Sequence, residues 1–203
     1  LVADEDRFKR GGIAYASNID KNLKKRANEI DYILKNAFTI PDTLDVYYQA
    51  IFSVKDNRII GAEALIRLRD MEGTLSGNSA KGDFISPEEF IPIAEKNGTI
   101  FSLGEYVLEQ VCQLLSSINP EQYGISKIEI NLSVIQCMQD NIVEQIKQIT
   151  EIYNTNRKYL NFEITETAAA YQQDTLLKTM DKLRAIGVEF SLDDYGSGHA
   201  TME

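Results

Sequence analysis

The sequence predicts an α/β fold built on parallel strands, either a doubly wound sheet or a TIM-type barrel, and three observations carry that prediction. From Lys127 onward, short β-branched runs alternate with helical runs of ten or more residues, the pattern of parallel βαβ units. The chain has 203 residues, 43% hydrophobic and 26% charged, enough to bury one sizeable core. No GxGxxG or GxxxxGKT-type run follows any strand, so nucleotide-binding doubly wound sheets lose their main support.

The elements follow in order. Apolar residues at Ile19, Leu23, Ala27, Ile30, Leu34 and Ala37 recur at helical spacing with Lys and Arg between them, which predicts an N-terminal amphipathic helix broken by Pro41-Asp42. Val46–Val54 and Arg58–Leu68 are rich in β-branched and aromatic residues around an Asp56-Asn57 turn, which predicts a hairpin. The Gly-rich stretch from Asp70 to Phe84 is a loop of about fifteen residues, long for a compact domain. Ser86-Pro87-Glu88-Glu89 opens a helix, with Ser86 and Glu89 set as a capping box, and Ser102 with Glu105 opens another. Lys127–Leu132 is then a strand, Val134–Tyr153 a helix, Leu160–Thr165 a strand, Thr175–Ile186 a helix ended by Gly187, and Val188–Leu192 a fifth strand.

Composition narrows the functions. With 21 Lys+Arg against 31 Asp+Glu the net charge is −10, which argues against sequence-independent binding to polymeric nucleic acid or to anionic lipid. Cys112 and Cys137 form no CxxC pair and fit buried thiols of a reducing compartment. A single histidine, His199, leaves no HExxH and no histidine cluster. No apolar run of membrane-spanning length is present, so direct membrane insertion is not expected and a cytoplasmic place is, with tethering through other parts of a longer protein left open.

Side chains alternate along a strand, so each face can be read separately. In the second strand Ile60, Ala62, Ala64, Ile66 and Leu68 form the apolar face, while Gly61, Glu63, Leu65 and Arg67 point the other way. Gln49 lies on the first strand, Asn131 near the end of the third, Glu163 and Thr165 on the fourth, and Asp193 and Asp194 close the fifth. Polar residues near the C-terminal ends of successive parallel strands mark the active-site rim of an α/β barrel. Glu63, Asn131, Glu163, Asp193 and Asp194 offer oxygen only, a donor set for Mg²⁺ or Mn²⁺ rather than Zn²⁺. Clustered carboxylates repel one another unless a cation lies among them. Glu129 and Glu189 fall on the same face one layer deeper, and nothing in the sequence accounts for them.

These residues resemble the EAL domain family. Tyr-Gln-Ala-Ile at 48–51, Glu63-Ala64-Leu65 followed by Arg67, the run from Ser86 to Glu95, Asn131-Leu132-Ser133, Phe162-Glu163-Ile164-Thr165-Glu166 and Asp193-Asp194-Tyr195-Gly196-Ser197-Gly198 occur in the family's order from about Val46 to the last residue. The resemblance implies a TIM-like (β/α) barrel that hydrolyses cyclic di-GMP to linear pGpG with two Mg²⁺ or Mn²⁺ ions. It implies Glu63, Asn131, Glu163 and Asp193 as ligands of one metal, with Asp193 and Asp194 serving the second. It further implies Gln49, the Leu65 main chain and Arg67 as substrate contacts, and Glu166 as the acidic residue steadying the loop after the fifth strand, toward a homodimer interface. Glu63, Glu166, Asp193 and Asp194 are the catalytic set on this reading. The family's usual proline is Ala50 here.

Residues 1–42 are expected to be a linker and helical segment joining an upstream GGDEF or sensor module, and residues 43–203 the EAL domain. About five barrel strands are legible where a barrel needs about eight, so the sequence is expected to be part of a longer domain. The family's later lysine, glutamate and glutamine have no counterpart before Glu203. The alternative to an enzyme is a non-catalytic EAL-like receptor that binds cyclic di-GMP without cleaving it.

Overall fold

A computed structural model describes residues 5–77, 79–165 and 173–193. Helix α1 (Glu5–Asn36) is followed by strands β1 (Leu44–Ser53) and β2 (Arg58–Arg69), the short strand β3 (Phe84–Ile85), helices α2 (Pro87–Asn97) and α3 (Thr99–Ser117), strand β4 (Lys127–Asn131), helices α4 (Val134–Cys137) and α5 (Ile142–Ile152), a 3₁₀ turn at Arg157–Tyr159, strand β5 (Leu160–Thr165), helix α6 (Gln173–Ala185) and strand β6 (Glu189–Asp193).

The strands lie in the order β1-β2-β4-β5-β6, with β3 on β2. The β2–β4, β4–β5 and β5–β6 pairs are parallel. The four-residue link between β1 and β2, with Asn57 at φ 51, is too short for a parallel crossover and makes these two an antiparallel hairpin. From β2 to β6 each new parallel strand is added on the same side with no reversal. That is the winding of a barrel and not of a doubly wound sheet, whose order reverses at a switch point.

The chain divides into two compact units, one built on the chain up to Asp45 with Arg67–Thr99, the other on Val46–Ile66 with the chain from Ile100. In the first unit Ile30, Ile33 and Leu34 of α1 and Ala37 just after it are buried, as are Phe90 and Ala94 of α2 and Ile85 of β3. Arg26 pairs with Glu89 at 3.0 Å, Glu29 accepts from the Ser76 amide and hydroxyl, and Asp31 accepts from Asn97 at 2.7 Å. The long loop after β2 is ordered by Asp70, only 1% exposed, whose two carboxylate oxygens accept from the amides of Thr74 at 2.8 Å and Leu75 at 2.7 Å.

In the second unit the apolar strand faces, with Ala64, Ile128, Ile130, Phe162 and Ile164, form one core with Val107, Val111 and Leu115 of α3, Ile146 and Ile149 of α5 and Leu183 of α6. A side chain at Gly61 would run into the Lys127 carbonyl, so only glycine lets β2 and β4 approach there. Cys112 and Cys137 are free and buried, as expected. Burial pushes their thiols up to about 11 and about 12, so neither is a reactive thiolate.

Three expectations are corrected. The Ser86–Glu89 capping box does not form: Ser86 makes no side-chain cap bond, and the Arg26 guanidinium holds the Glu89 carboxylate instead. Helix α3 starts at Thr99 rather than at Ser102, because Gly98 in the left-handed region ends α2 and the Asn97 side chain takes the Thr99 amide at 2.8 Å. The helix expected over Val134–Tyr153 is two helices, separated at residues 138–141.

Candidate functional site

Register decides which polar residues meet. Glu63 pairs with Glu129, Glu129 with Asn161, and Asn161 with Glu189, which makes one row across the sheet on the face away from the core. One step toward the C-terminal ends, Asn131 pairs with Glu163 and Glu163 with Ser191; beyond them Thr165 pairs with Asp193.

Hydrogen bonds stitch these rows together. Asn131 Nδ2 donates to Glu63 Oε1 at 2.8 Å, from the upper row to the lower. Ser191 Oγ donates to Glu163 Oε1 at 3.1 Å and accepts from Asn161 Nδ2 at 2.6 Å. Lys127 Nζ lies 2.8 Å from Glu129 Oε1, which accounts for one of the two deep carboxylates that the sequence left unexplained. Glu189, the other, is exposed. Neutral Asn and Ser side chains and one lysine thus stand among the acids, which limits the repulsion that neighbouring carboxylates would otherwise suffer.

Local structure fixes the position of Asn131. The next amide, Leu132 N, donates to Glu163 O at 2.8 Å, extending the β4–β5 ladder past the strand end, and the Leu132 side chain is buried. Ser133 then caps α4 in a reciprocal capping box with Gln136, whose side chain is itself buried. The Asn-Leu-Ser run thus places a candidate site residue, a buried anchor and a helix cap in three successive positions.

Of the residues singled out from the sequence, Glu63, Asn131 and Glu163 therefore sit on adjacent parallel strands and on one face of the sheet, Glu63 and Glu163 half-buried. Asp193 is the last residue of β6. Leu65 and Arg67 follow Glu63 on the same side of β2, both half-buried, and Gln49 is exposed on β1. Glu166 and Asp194 lie outside the described residues. Asn161 and Ser191 were not singled out, although they share strand parity with Glu163 and Asp193, and that parity was the signal available. Among the described residues no three His, Cys, Asp or Glu side chains cluster. What the described side chains offer is two carboxylates and one amide oxygen, a hard-oxygen set that fits Mg²⁺ or Mn²⁺.

The family model for the EAL domain matches residues 33–203. The chain belongs to the EAL domain family. It is 29% identical over 161 residues to the cyclic di-GMP phosphodiesterase NbdA of Pseudomonas aeruginosa, covering 79% of this chain and 19% of NbdA. It is 26% identical over 198 residues to the bifunctional diguanylate cyclase/cyclic di-GMP phosphodiesterase MucR of the same organism, covering 98% of this chain and 27% of MucR. Against the signaling protein YkoW of Bacillus subtilis it is 28% identical over 202 residues, covering 100% of this chain and 24% of YkoW. The chain thus spans about a quarter or less of these relatives' lengths. A solved structure of the PaMucR phosphodiesterase in complex with c-di-GMP superposes with a TM-score of 0.73 at 28% identity, over 85% of this chain and 66% of that one. The EAL fold, with its parallel-dominated sheet and TIM-like winding, is therefore that of this chain.

Proposed function

We propose that this EAL domain is a cyclic di-GMP phosphodiesterase that opens the cyclic dinucleotide to linear pGpG. The observation that carries the reading is the placement of Glu63, Asn131 and Glu163 on one face of adjacent parallel strands, with Asn131 bonded to Glu63 at 2.8 Å. The likeness to NbdA and MucR, both described as cyclic di-GMP phosphodiesterases, supports it.

Glu63, Asn131, Glu163 and Asp193 would hold one divalent cation and Asp193 with Asp194 a second, as Mg²⁺ or Mn²⁺. Bound there, such ions supply Lewis-acid polarisation of the phosphodiester and a more acidic water. The chain's own residues have the remaining tasks. Asn131 holds the Glu63 carboxylate in place through its amide N–H. Gln49, the Leu65 main chain and Arg67 would orient the substrate, with the Arg67 guanidinium suited to a phosphate that a chain of net charge −10 otherwise repels. Glu166 would steady the loop after β5. In the balanced reaction one water adds to one phosphorus, the bond from that phosphorus to a ribose 3′ oxygen breaks, and the departing oxygen takes a proton. The segment before residue 43 would link an upstream GGDEF or sensor module, the domain over 43–203 would act as a homodimer, and its place would be cytoplasmic. No described helix is long and apolar enough to cross a membrane.

The test incubates the full-length protein with cyclic di-GMP and Mn²⁺ and follows product by chromatography. Linear pGpG from the wild type and none from Glu63→Ala is the expected result. Binding of cyclic di-GMP without product would leave the receptor alternative, and no binding would overturn both.

A further inference from the structure

We infer that Asn161 and Ser191 are positioning residues that orient the Glu163 carboxylate for its cation, an inference that rests on the metal-site reading above. Protonation logic fixes the direction of the relay. An ionised carboxylate only accepts, so the Ser191 hydroxyl, 3.1 Å from Glu163 Oε1, must give its single proton there. Its oxygen is then left to accept, and the Asn161 amide at 2.6 Å must present its NH₂ edge. Asn161 is only 1% exposed, so its side chain is held in place by packing, and it passes that constraint on through the hydroxyl.

Both stand on the polar face of the sheet, and neither belongs to the apolar cluster on the other face. Their arrangement makes sense as a support for Glu163. The bond to Ser191 fixes the rotation of the carboxylate plane before any ligand arrives, so a cation meets an oriented donor rather than a swinging one. Partners that orient a metal ligand in this way typically change metal affinity or activity by about 10–100-fold when removed.

The test is calorimetric titration of Mn²⁺ into the full-length protein without substrate, alongside Ser191→Ala, Ser191→Thr, Asn161→Leu and Glu163→Gln. Near-UV circular dichroism checks that each variant is folded. Ser191→Ala is expected to weaken Mn²⁺ binding about tenfold. Ser191→Thr, which keeps the hydroxyl, should stay close to wild type. Asn161→Leu, of similar volume, should weaken binding as Ser191→Ala does, and it carries the test if Ser191→Ala does not fold. In the hydrolysis assay the Ser191→Ala defect should shrink as Mn²⁺ is raised to saturation. Unchanged affinity in Ser191→Ala and Asn161→Leu, with wild type binding and Glu163→Gln not binding, would overturn the positioning role and leave the metal site standing. Equal weakening in Ser191→Ala and Ser191→Thr would also overturn it, since packing and not the hydroxyl would then be responsible. A wild type that binds no Mn²⁺ would overturn the metal-site reading and this inference with it.

Discussion

The two units of the chain use polar side chains for opposite ends. In the first unit, charged groups join elements far apart in sequence: Arg26 to Glu89, Glu29 to the Ser76 amide, Asp31 to Asn97. They supplement a small apolar centre around Leu34 and Phe90. In the second unit the ladder and a larger core hold the sheet, while Glu63, Glu129 and Glu163 lie on its other face. Polar groups in the first unit serve stability. In the second, Glu63 stands directly opposite Glu129 on the sheet, an arrangement that works against stability and that, on the function proposed above, serves chemistry.

The sharpest way to break that contrast is Glu63→Gln. The substitution keeps an acceptor for Asn131 and removes one charge from a row in which Glu63 faces Glu129. Hydrolysis of cyclic di-GMP should fall at least about a thousandfold, roughly 4 kcal/mol of transition-state stabilisation. The melting temperature should hold or rise. A fall in melting temperature would mean that Glu63 serves the fold, and the contrast would fail.

Phe90→Ala comes next. Phe90 is fully buried in the first unit, and its truncation should destabilise by about 3–5 kcal/mol. Hydrogen exchange read by mass spectrometry should show α2 amides losing protection while β4 and β5 keep theirs. Joint loss across both units would show that they unfold as one and would blunt the comparison. Asp70→Ala has a smaller expected effect, about 1–3 kcal/mol, from leaving the buried Leu75 amide and the part-buried Thr74 amide without an acceptor. Thr74 and Leu75 amides should exchange first.

The two units also differed in how much of them was legible in the sequence. The sheet of the second was readable because alternation along a strand is a local property: Ile128 and Ile130 are buried and Glu129 is not, as the sequence order alone requires. Glu63, Asn131 and Glu163 were legible for the same reason, each an acid or amide at a strand position that apolar residues flank. Asn161 and Ser191 share that parity but are neutral and common, so only the 2.6 and 3.1 Å contacts distinguish them. In the first unit the misreadings come from tertiary competition. Glu89 has the spacing of a capping box, yet a guanidinium 63 residues away in the chain outbids the amide of its own helix. The second unit has a misreading of its own, since the break at residues 138–141 carries no proline or glycine to announce it.

The smallest effect concerns acid. The Ser76 amide and hydroxyl hold Glu29 below its ordinary value of 4.5, and Asn97 with Lys35 hold Asp31 below its ordinary 3.8. In the unfolded chain both carboxylates take up protons at their ordinary values, so below about pH 4.5 the unfolded state binds more protons than the folded one. The stability these groups add is therefore present above that pH and is lost as pH falls through their lowered folded values. Glu29 also pairs with Lys25 at 3.8 Å and Asp31 with Lys35 at 2.6 Å, and the lysines are well exposed, 63% and 61%, so solvent and salt screen much of the effect. Urea unfolding followed at pH 6, 4.5 and 3.5 should show the first unit losing stability over the last step, and a Glu29→Gln, Asp31→Asn double variant should flatten that slope. A double variant with the same slope as the wild type would move acid sensitivity to the carboxylates of the sheet, and with it the assignment of which unit's charges stabilise.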